Sequence, residues 1–161
     1  ESPIRGETFV TRKITIGLAR IKLGKQNKIE LGNLYAKRDW GHAKDYVEAM
    51  WKILQQKKPE DYVIATGKQY SIRVFTNIVC KKLGFDISWK GKGINEKGFI
   101  NSGKKTIIEI DKNYFRPLDV NTLLGNANKA RKKLKWKPKY DLYSLIDEMI
   151  SEEIKFINEN Q

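Results

Sequence analysis

The sequence predicts an α/β fold in which helices alternate with short strands, and three observations lead to this prediction. Apolar residues recur at helical spacing in several stretches, and compact apolar runs typical of strands lie between them. Hydrophobic residues make up 40% of the 161 residues and aromatic residues 11%, which is enough for a packed core. The elements show no internal repeat, so we expect one compact unit or one lobe of a larger protein.

The first two helices are predicted from apolar spacing and from their end signals. Residues 12–23 form the first, and Gly24 is a plausible C-terminal stop. Residues 41–56 form the second, which ends before Pro59 because the residue preceding a proline avoids the helical region. The apolar stripe of this second helix contains Ala43, Tyr46, Val47, Met50, Trp51 and Leu54.

Short strands are predicted at 29–31, 62–65, 87–89 and 106–110. The run Tyr-Val-Ile-Ala at 62–65 has the length and composition of a strand buried on both faces, as in a parallel sheet. Residues 90–105 are rich in Gly, Lys and Asn, so we expect a loop there.

Three further helices follow from capping residues. Ser71 is expected to cap a helix over 72–83, Asn126 a short helix through Leu134, and Asp141 a final amphipathic helix over 142–157. The part after about residue 84 is expected to be smaller and more irregular than the part before it.

The charge and the single cysteine limit the classes of function. The net charge of +13 comes mostly from lysine, which is typical of a solvated surface, so nucleic-acid binding is only a distant alternative. No apolar run is long enough to span a bilayer, and no membrane partner is expected. Cys80 lies in an apolar-periodic stretch, which predicts a buried structural thiol. A single cysteine excludes an internal disulfide framework and favours a cytoplasmic location. The polar start without a signal-like segment indicates a chain cut from a longer one.

Several motifs of catalysis are incomplete or missing. Residues 98–105 nearly spell a phosphate-binding P-loop, but Lys105 stands where Ser or Thr should be and a strand follows. His42 has no Cys or second His beside it, so no metal site is expected. Neither a dinucleotide-binding glycine fingerprint nor a Tyr-x-x-x-Lys pair occurs. We therefore expect no catalytic residues in this chain and no activity from it alone.

Two isolated arginines are candidates for anion binding. Arg38 precedes the second helix and Arg116 follows the last predicted strand, each among aromatic residues. An arginine at the end of an element can form a fixed fork for a diphosphate, but a surface salt bridge is the simpler interpretation from composition alone.

Two segments of the sequence are highly specific: the opening Glu-Ser-Pro-Ile-Arg-Gly-Glu-Thr-Phe-Val-Thr-Arg-Lys-Ile block and the Arg-Asp-Trp-Gly-His-Ala segment at 38–43. In these segments the sequence resembles the GDP-mannose 4,6-dehydratase family. Further matches occur in the same order at 31–34, 62–67, 114–117, 123–125 and 133–138, so the resemblance covers essentially the whole chain. The last segment alone would indicate only the wider family of extended short-chain dehydrogenases.

The resemblance implies that residues 1–161 are the C-terminal part of such an enzyme. It implies a small α/β substrate-binding domain plus the edge of a Rossmann sheet, to which the 62–65 strand and the 71–83 helix would belong. The NADP-binding region and the catalytic Thr, Glu and Tyr would then lie upstream of Glu1. The implied reaction converts GDP-mannose to GDP-4-dehydro-6-deoxymannose and water with NADP as cofactor, as in GDP-fucose biosynthesis, by a homo-oligomer (dimer or tetramer).

The resemblance also implies roles for five residues. Arg5 matches a family position that binds NADP. Three positions that bind the diphosphate match Lys13, Arg38 and Arg116, and a position that binds a ribose hydroxyl of GDP matches Asp119. Asp119 is shorter than the usual Glu, and Ile4 stands where the family usually has Arg. Another GDP-sugar reductase or epimerase of the same superfamily is the alternative function, and the Arg-Asp-Trp-Gly-His motif favours the dehydratase.

Overall fold

A computed structural model of the chain describes residues 1–115 and 120–160. The helices within these ranges are α1 (Val10–Lys22), α2 (Ala43–Leu54), α3 (Ile72–Lys82), α4 (Asn128–Lys133) and α5 (Leu142–Glu159), with a 3-10 turn at Gly93–Asn95. The strands are β1 (Ile29–Leu31), β2 (Lys37–Arg38), β3 (Tyr70–Ser71), β4 (Ser88–Lys90), β5 (Lys97–Ile100) and β6 (Lys105–Ile110). The predicted α/β class is confirmed.

Four strands form the main sheet in the order β1-β6-β5-β4. Strands β1 and β6 run parallel, with Ile29 opposite Ile108 and Leu31 opposite Ile110, whereas the other pairs are antiparallel. A parallel pair needs a long crossover, which α2 and α3 provide here. The carboxyl ends of β1 and β6 therefore lie side by side at one edge of the sheet. Strands β2 and β3 form a separate antiparallel pair.

The main core lies between this sheet and helices α1, α3 and α5. Its fully buried side chains come from all four parts and include Ile14, Leu18, Phe75, Val79, Ile107, Ile108 and Ile146. Helix α3 belongs to this core through Phe75 and Val79, and it packs against α1 and α5.

A second core joins α2, residues 62–65 and α4, and centres on the buried Trp136. The indole Nε1 of Trp136 donates a hydrogen bond of 2.9 Å to the carbonyl of Asp45. The buried Asp45 carboxylate accepts from the backbone N–H groups of Lys139 and Tyr140, both at 3.1 Å. These bonds attach the segment before α5 to the start of α2.

The end signals at Gly24, Ser71 and Asp141 are confirmed, whereas the cap residue of α4 is Ala127 and not the predicted Asn126. Gly24 has φ +73° directly after α1, and the Ser71 hydroxyl accepts from the N–H of Val74. Asp141 and Ser144 form a reciprocal capping box at the start of α5. Cys80 is fully buried as predicted, and burial raises the pKa of its thiol to about 12.

Two strand predictions need correction. Residues 62–65 belong to no β-ladder within the described ranges, because the local composition of a strand cannot supply its partner. The expected loop at 90–105 contains β5, whose Gly98 and Ile100 are buried against β6. The P-loop-like run 98–105 is the hairpin from β5 to β6, with Asn101 and Ser102 at positive φ. A hairpin between two strands differs from a phosphate-binding loop, which opens a helix.

Helix α2 is apolar on two sides, and only one of them is covered. Ala49 and Ile53 pack into the second core. The opposite stripe of Val47, Met50, Trp51 and Leu54 is exposed, with 61% to 80% of each residue accessible. A helix that is apolar all round is normally buried between two layers. This stripe is called the outer face of α2 below.

None of the helices in residues 1–115 and 120–160 is long and apolar enough to cross a membrane. The same ranges contain no group of three or more His, Cys, Asp or Glu side chains arranged to hold a metal ion.

Candidate nucleotide-binding cleft

A cavity of about 400 Å³ opens where the carboxyl ends of β1 and β6 meet the start of α1. Ligands of open α/β sheets bind at such edges because the loops after the strands converge there. The residues that line this cavity are Thr8, Phe9, Val10, Lys13, Glu30, Leu31, Gly32, Asn33, Arg38, Ile72 and Tyr114. Two of the predicted diphosphate ligands, Lys13 and Arg38, thus share one cavity.

Lys13 enters the cavity from the first turn of α1. Its Nζ lies 3.6 Å from the centroid of the Tyr114 ring. The first turn of α1 contains no acidic residue, and no side chain caps it at Phe9. The start of a helix favours anions because its N–H groups and dipole are directed toward them. The lysine charge and the helix start therefore act in the same direction, toward a bound anion.

Arg38 enters from β2 and is held by backbone carbonyl groups. Its Nη1 donates to the carbonyl of Lys37 at 2.8 Å and to that of Val120 at 2.6 Å. These bonds fix the guanidinium beside the cavity. The other two predicted ligands, Arg116 and Asp119, lie outside the described residues.

A second cavity of about 410 Å³ adjoins the first and shares Lys13, Glu30 and Tyr114 with it. It continues along α1 to Gly17 and Gln26. These two neighbouring cavities are together called the cleft below.

Two glycines allow the cleft to form. A Cβ at Gly17 would lie 2.3 Å from Cγ2 of Ile29, so glycine lets α1 approach β1. A Cβ at Gly32 would lie 2.1 Å from the carbonyl oxygen of Tyr114, so glycine lets the chain after β6 pack on the end of β1. Sequence reasoning missed both roles, since nothing local indicates which backbone approaches a glycine.

Lys28, which lines the second cavity only, is paired with carboxylates. Lys28 pairs with Glu109, which also binds Lys97 at 2.7 Å. These two ammonium groups lower the pKa of Glu109 to about 2, so its carboxylate stays charged near neutral pH. Lys28 is therefore less available to a ligand than Lys13.

Arg5, the predicted NADP ligand, does not line the cleft. Its guanidinium lies 3.6 Å from the ring centroid of Phe9, and Phe9 in turn lines the first cavity. Arg5 Nε lies 3.5 Å from a carboxylate oxygen of Glu1. Arg5 is thus separated from the Lys13 and Arg38 pair by one aromatic ring.

His42 has a structural position, as the sequence suggested. Its Nδ1 accepts from the N–H of Lys44 at 3.0 Å, which makes His42 the cap of α2. Its Nε2 lies 2.8 Å from the Glu148 carboxylate, and its ring stacks on Tyr140. These contacts join α2 to α5.

Solved structures of the same fold place this architecture in a known class. RMD from Pseudomonas aeruginosa, complexed with NADPH, matches with a TM-score of 0.77 and 18% identity over 96% of this chain and 46% of that one. The dTDP-glucose 4,6-dehydratase of Bacillus anthracis, in complex with NAD, matches with a TM-score of 0.72 and 18% identity over 96% and 42%. The fold is that of the C-terminal portion of an extended short-chain dehydrogenase.

Sequence relatives define the family within that class. The family model described as GDP-mannose 4,6 dehydratase matches residues 1–149, and the chain belongs to this family. GDP-mannose 4,6 dehydratase 2 of Caenorhabditis elegans is 54% identical over 96% of this chain and 40% of its own length. The corresponding values are 50%, 98% and 44% for the Dictyostelium discoideum enzyme, and 47%, 99% and 43% for the Homo sapiens enzyme. The chain spans less than half the length of these relatives.

Proposed function

We propose that the chain is the substrate-binding part of a GDP-mannose 4,6-dehydratase. The shared cavity of Lys13 and Arg38 carries this proposal. Both side chains can donate charge-assisted hydrogen bonds to phosphate oxygens, so the cavity that they share suits an anionic ligand such as the GDP diphosphate. In this proposal the parent enzyme converts GDP-mannose to GDP-4-dehydro-6-deoxymannose and water. The family membership and the relatives named above support it.

Arg116 and Asp119 complete the proposed GDP site from the resemblance alone. Arg116 would be the second fork on the diphosphate, and Asp119 would accept a hydrogen bond from a ribose hydroxyl. Lys13 and Arg38 bind and orient the nucleotide in this arrangement, while the reacting sugar carbons lie away from the diphosphate. None of these four residues therefore takes part in the chemical step.

NADP is the proposed cofactor, and Arg5 is its proposed ligand in this chain. The side chain of Arg5 is 41% exposed, so part of its guanidinium is accessible to an anionic group such as a phosphate, while its Nε lies beside the Glu1 carboxylate. Bound NADP supplies the hydride acceptor for a dehydration of this type. The residues that move protons in the reaction are expected outside this chain.

The NADP-binding part is also the proposed partner of the second core. The segment 62–65 has the composition of a doubly buried strand but belongs to no ladder among the described residues, and the outer face of α2 is exposed. We assign both to the edge of a Rossmann sheet whose other strands belong to the NADP-binding part. Since α3 packs in the main core, the proposed boundary leaves α3 in the substrate domain. A dimer or tetramer and a cytoplasmic location stay predictions.

The function is tested by separating binding from turnover. We expect the purified chain to bind GDP in a calorimetric titration, because Lys13 and Arg38 are in place. With GDP-mannose and NADP, we expect it to form no 4-keto sugar, because catalysis needs a bound cofactor and a positioned base. Adding a separately purified NADP-binding part should produce activity. Measurable 4-keto sugar from the chain alone, or no affinity for GDP, would contradict the proposal.

The assignment of 62–65 is tested by hydrogen exchange. In the chain alone we expect fast exchange of the amides at 62–65, because no ladder protects them. Addition of the NADP-binding part should slow their exchange at least about tenfold, whereas the β6 amides at 105–110 serve as an internal control that should not change. Slow exchange at 62–65 in the chain alone would place the strand's partner elsewhere.

A further inference from the structure

Tyr114 lies at the junction of the two cavities that form the cleft. It lines both of them, together with Lys13 and Glu30. The Lys13 ammonium lies 3.6 Å from its ring centroid, well within the roughly 6 Å over which a cation and an aromatic face attract each other. Half of Tyr114 remains exposed, so the contact is on the surface of the cleft and not in a core.

The backbone of Tyr114 is fixed from two directions. Its N–H donates to the carbonyl of Asp111 at 3.1 Å, and Phe115 donates to the same carbonyl, which makes a tight turn after β6. The Tyr114 carbonyl packs against Gly32 so closely that no Cβ fits there. The ring therefore stands on a turn whose position relative to β1 is set by the fold.

A lysine side chain without such a contact has many rotamers, most of which lead into solvent. The negative face of the Tyr114 ring selects those rotamers of Lys13 that keep the ammonium in the cleft. An ammonium has three N–H groups, and the ring covers it from one direction only. The remaining N–H groups stay available to phosphate oxygens.

We infer that Tyr114 is a positioning residue that holds the Lys13 ammonium at the junction of the cleft, ready for the diphosphate. This inference rests on the proposed function for the identity of the ligand. It adds to that function a residue that touches the lysine and acts on GDP affinity through it. An aromatic ring, and not the phenol hydroxyl, is the part of Tyr114 that the inference requires.

Calorimetric titration with GDP tests the inference on three variants of the chain. Tyr114→Phe keeps the ring and should leave the Kd within about twofold of the original value. Tyr114→Leu keeps apolar bulk but loses the ring, and should raise the Kd about three- to tenfold. In a Lys13→Met background, Tyr114→Leu should have no further effect, because the ring has no ammonium to hold. Equal Kd values for the Phe and Leu variants would overturn the inference.

A second measurement uses the unmodified chain, without a ligand and without a substitution. In the unmodified chain, the ring should shift the NMR signals of the Lys13 ε-methylene protons upfield relative to those of the exposed Lys37. Ordinary lysine shifts for Lys13 would overturn the inference even if GDP binds. If the shift is present and the unmodified chain does not bind GDP, the proposed function fails and the positioning of Lys13 stands.

Discussion

Arg38→Ala is expected to weaken GDP binding by about tenfold to a hundredfold. A charge-assisted hydrogen bond contributes roughly 1.5–3 kcal/mol, and the alanine variant loses it entirely. The guanidinium is held beside the cavity by the carbonyls of Lys37 and Val120, so little ordering is needed when a diphosphate arrives. In the complete enzyme the loss should appear mainly in KM, because the diphosphate is remote from the reacting carbons.

Lys37→Ala provides the matched control for Arg38→Ala. Lys37 is the neighbouring cation of β2 and does not line the described part of the cleft. Its removal changes the net charge equally but should alter the Kd for GDP by less than about twofold. Arg38→Lys should be intermediate, because a lysine keeps the charge and loses the planar fork. Similar Kd values for Arg38→Ala and Lys37→Ala would exclude Arg38 from the diphosphate site.

Phe75→Ala is expected to lower the free energy of unfolding by about 3–5 kcal/mol, the usual cost of truncating a buried phenylalanine. Phe75 is fully buried in the main core, and its ring lies 5.1 Å from that of Trp40. Since the free energy of unfolding of a native protein is only about 5–15 kcal/mol, this loss is a large share of it. Urea unfolding followed by far-UV circular dichroism measures the difference.

Val74→Ala is the control for Phe75→Ala in the same turn of α3. Val74 is 42% exposed, so its truncation should cost less than about 1 kcal/mol. If both variants had the same unfolding midpoint, α3 would not belong to the main core and the boundary proposed above would be wrong.

Much of the helical structure could be predicted because its signals are local. The spacing of Ile14, Leu18 and Ile21 defines one face of α1, and Ser71 and Asp141 provide caps through contacts within three residues. These interactions depend on neighbours in the sequence and form in the same way in any tertiary context. The burial of Cys80 followed from the same periodicity.

The strands were less predictable because pairing joins distant residues. Strand β5 was hidden among Gly, Lys and Asn, and it exists because Gly98 and Ile100 pack against β6. The apolar run at 62–65 has a strong local signal, yet it forms no ladder within the described residues. Composition indicates that a segment prefers a strand, but a partner of matching register decides whether it becomes one.

The sequence by itself determined the α/β class, the ends of the main helices, the family and a set of candidate cations. Only the tertiary structure decided that Lys13 and Arg38 share a cavity, that Tyr114 holds the lysine, and that Arg5 stands apart behind Phe9. The physical reason is the parallel pairing of β1 with β6, which aligns two strand ends that are far apart in the chain. Hydrophobic burial stabilises this pairing. The spacing of charges along the sequence does not indicate which strands pair.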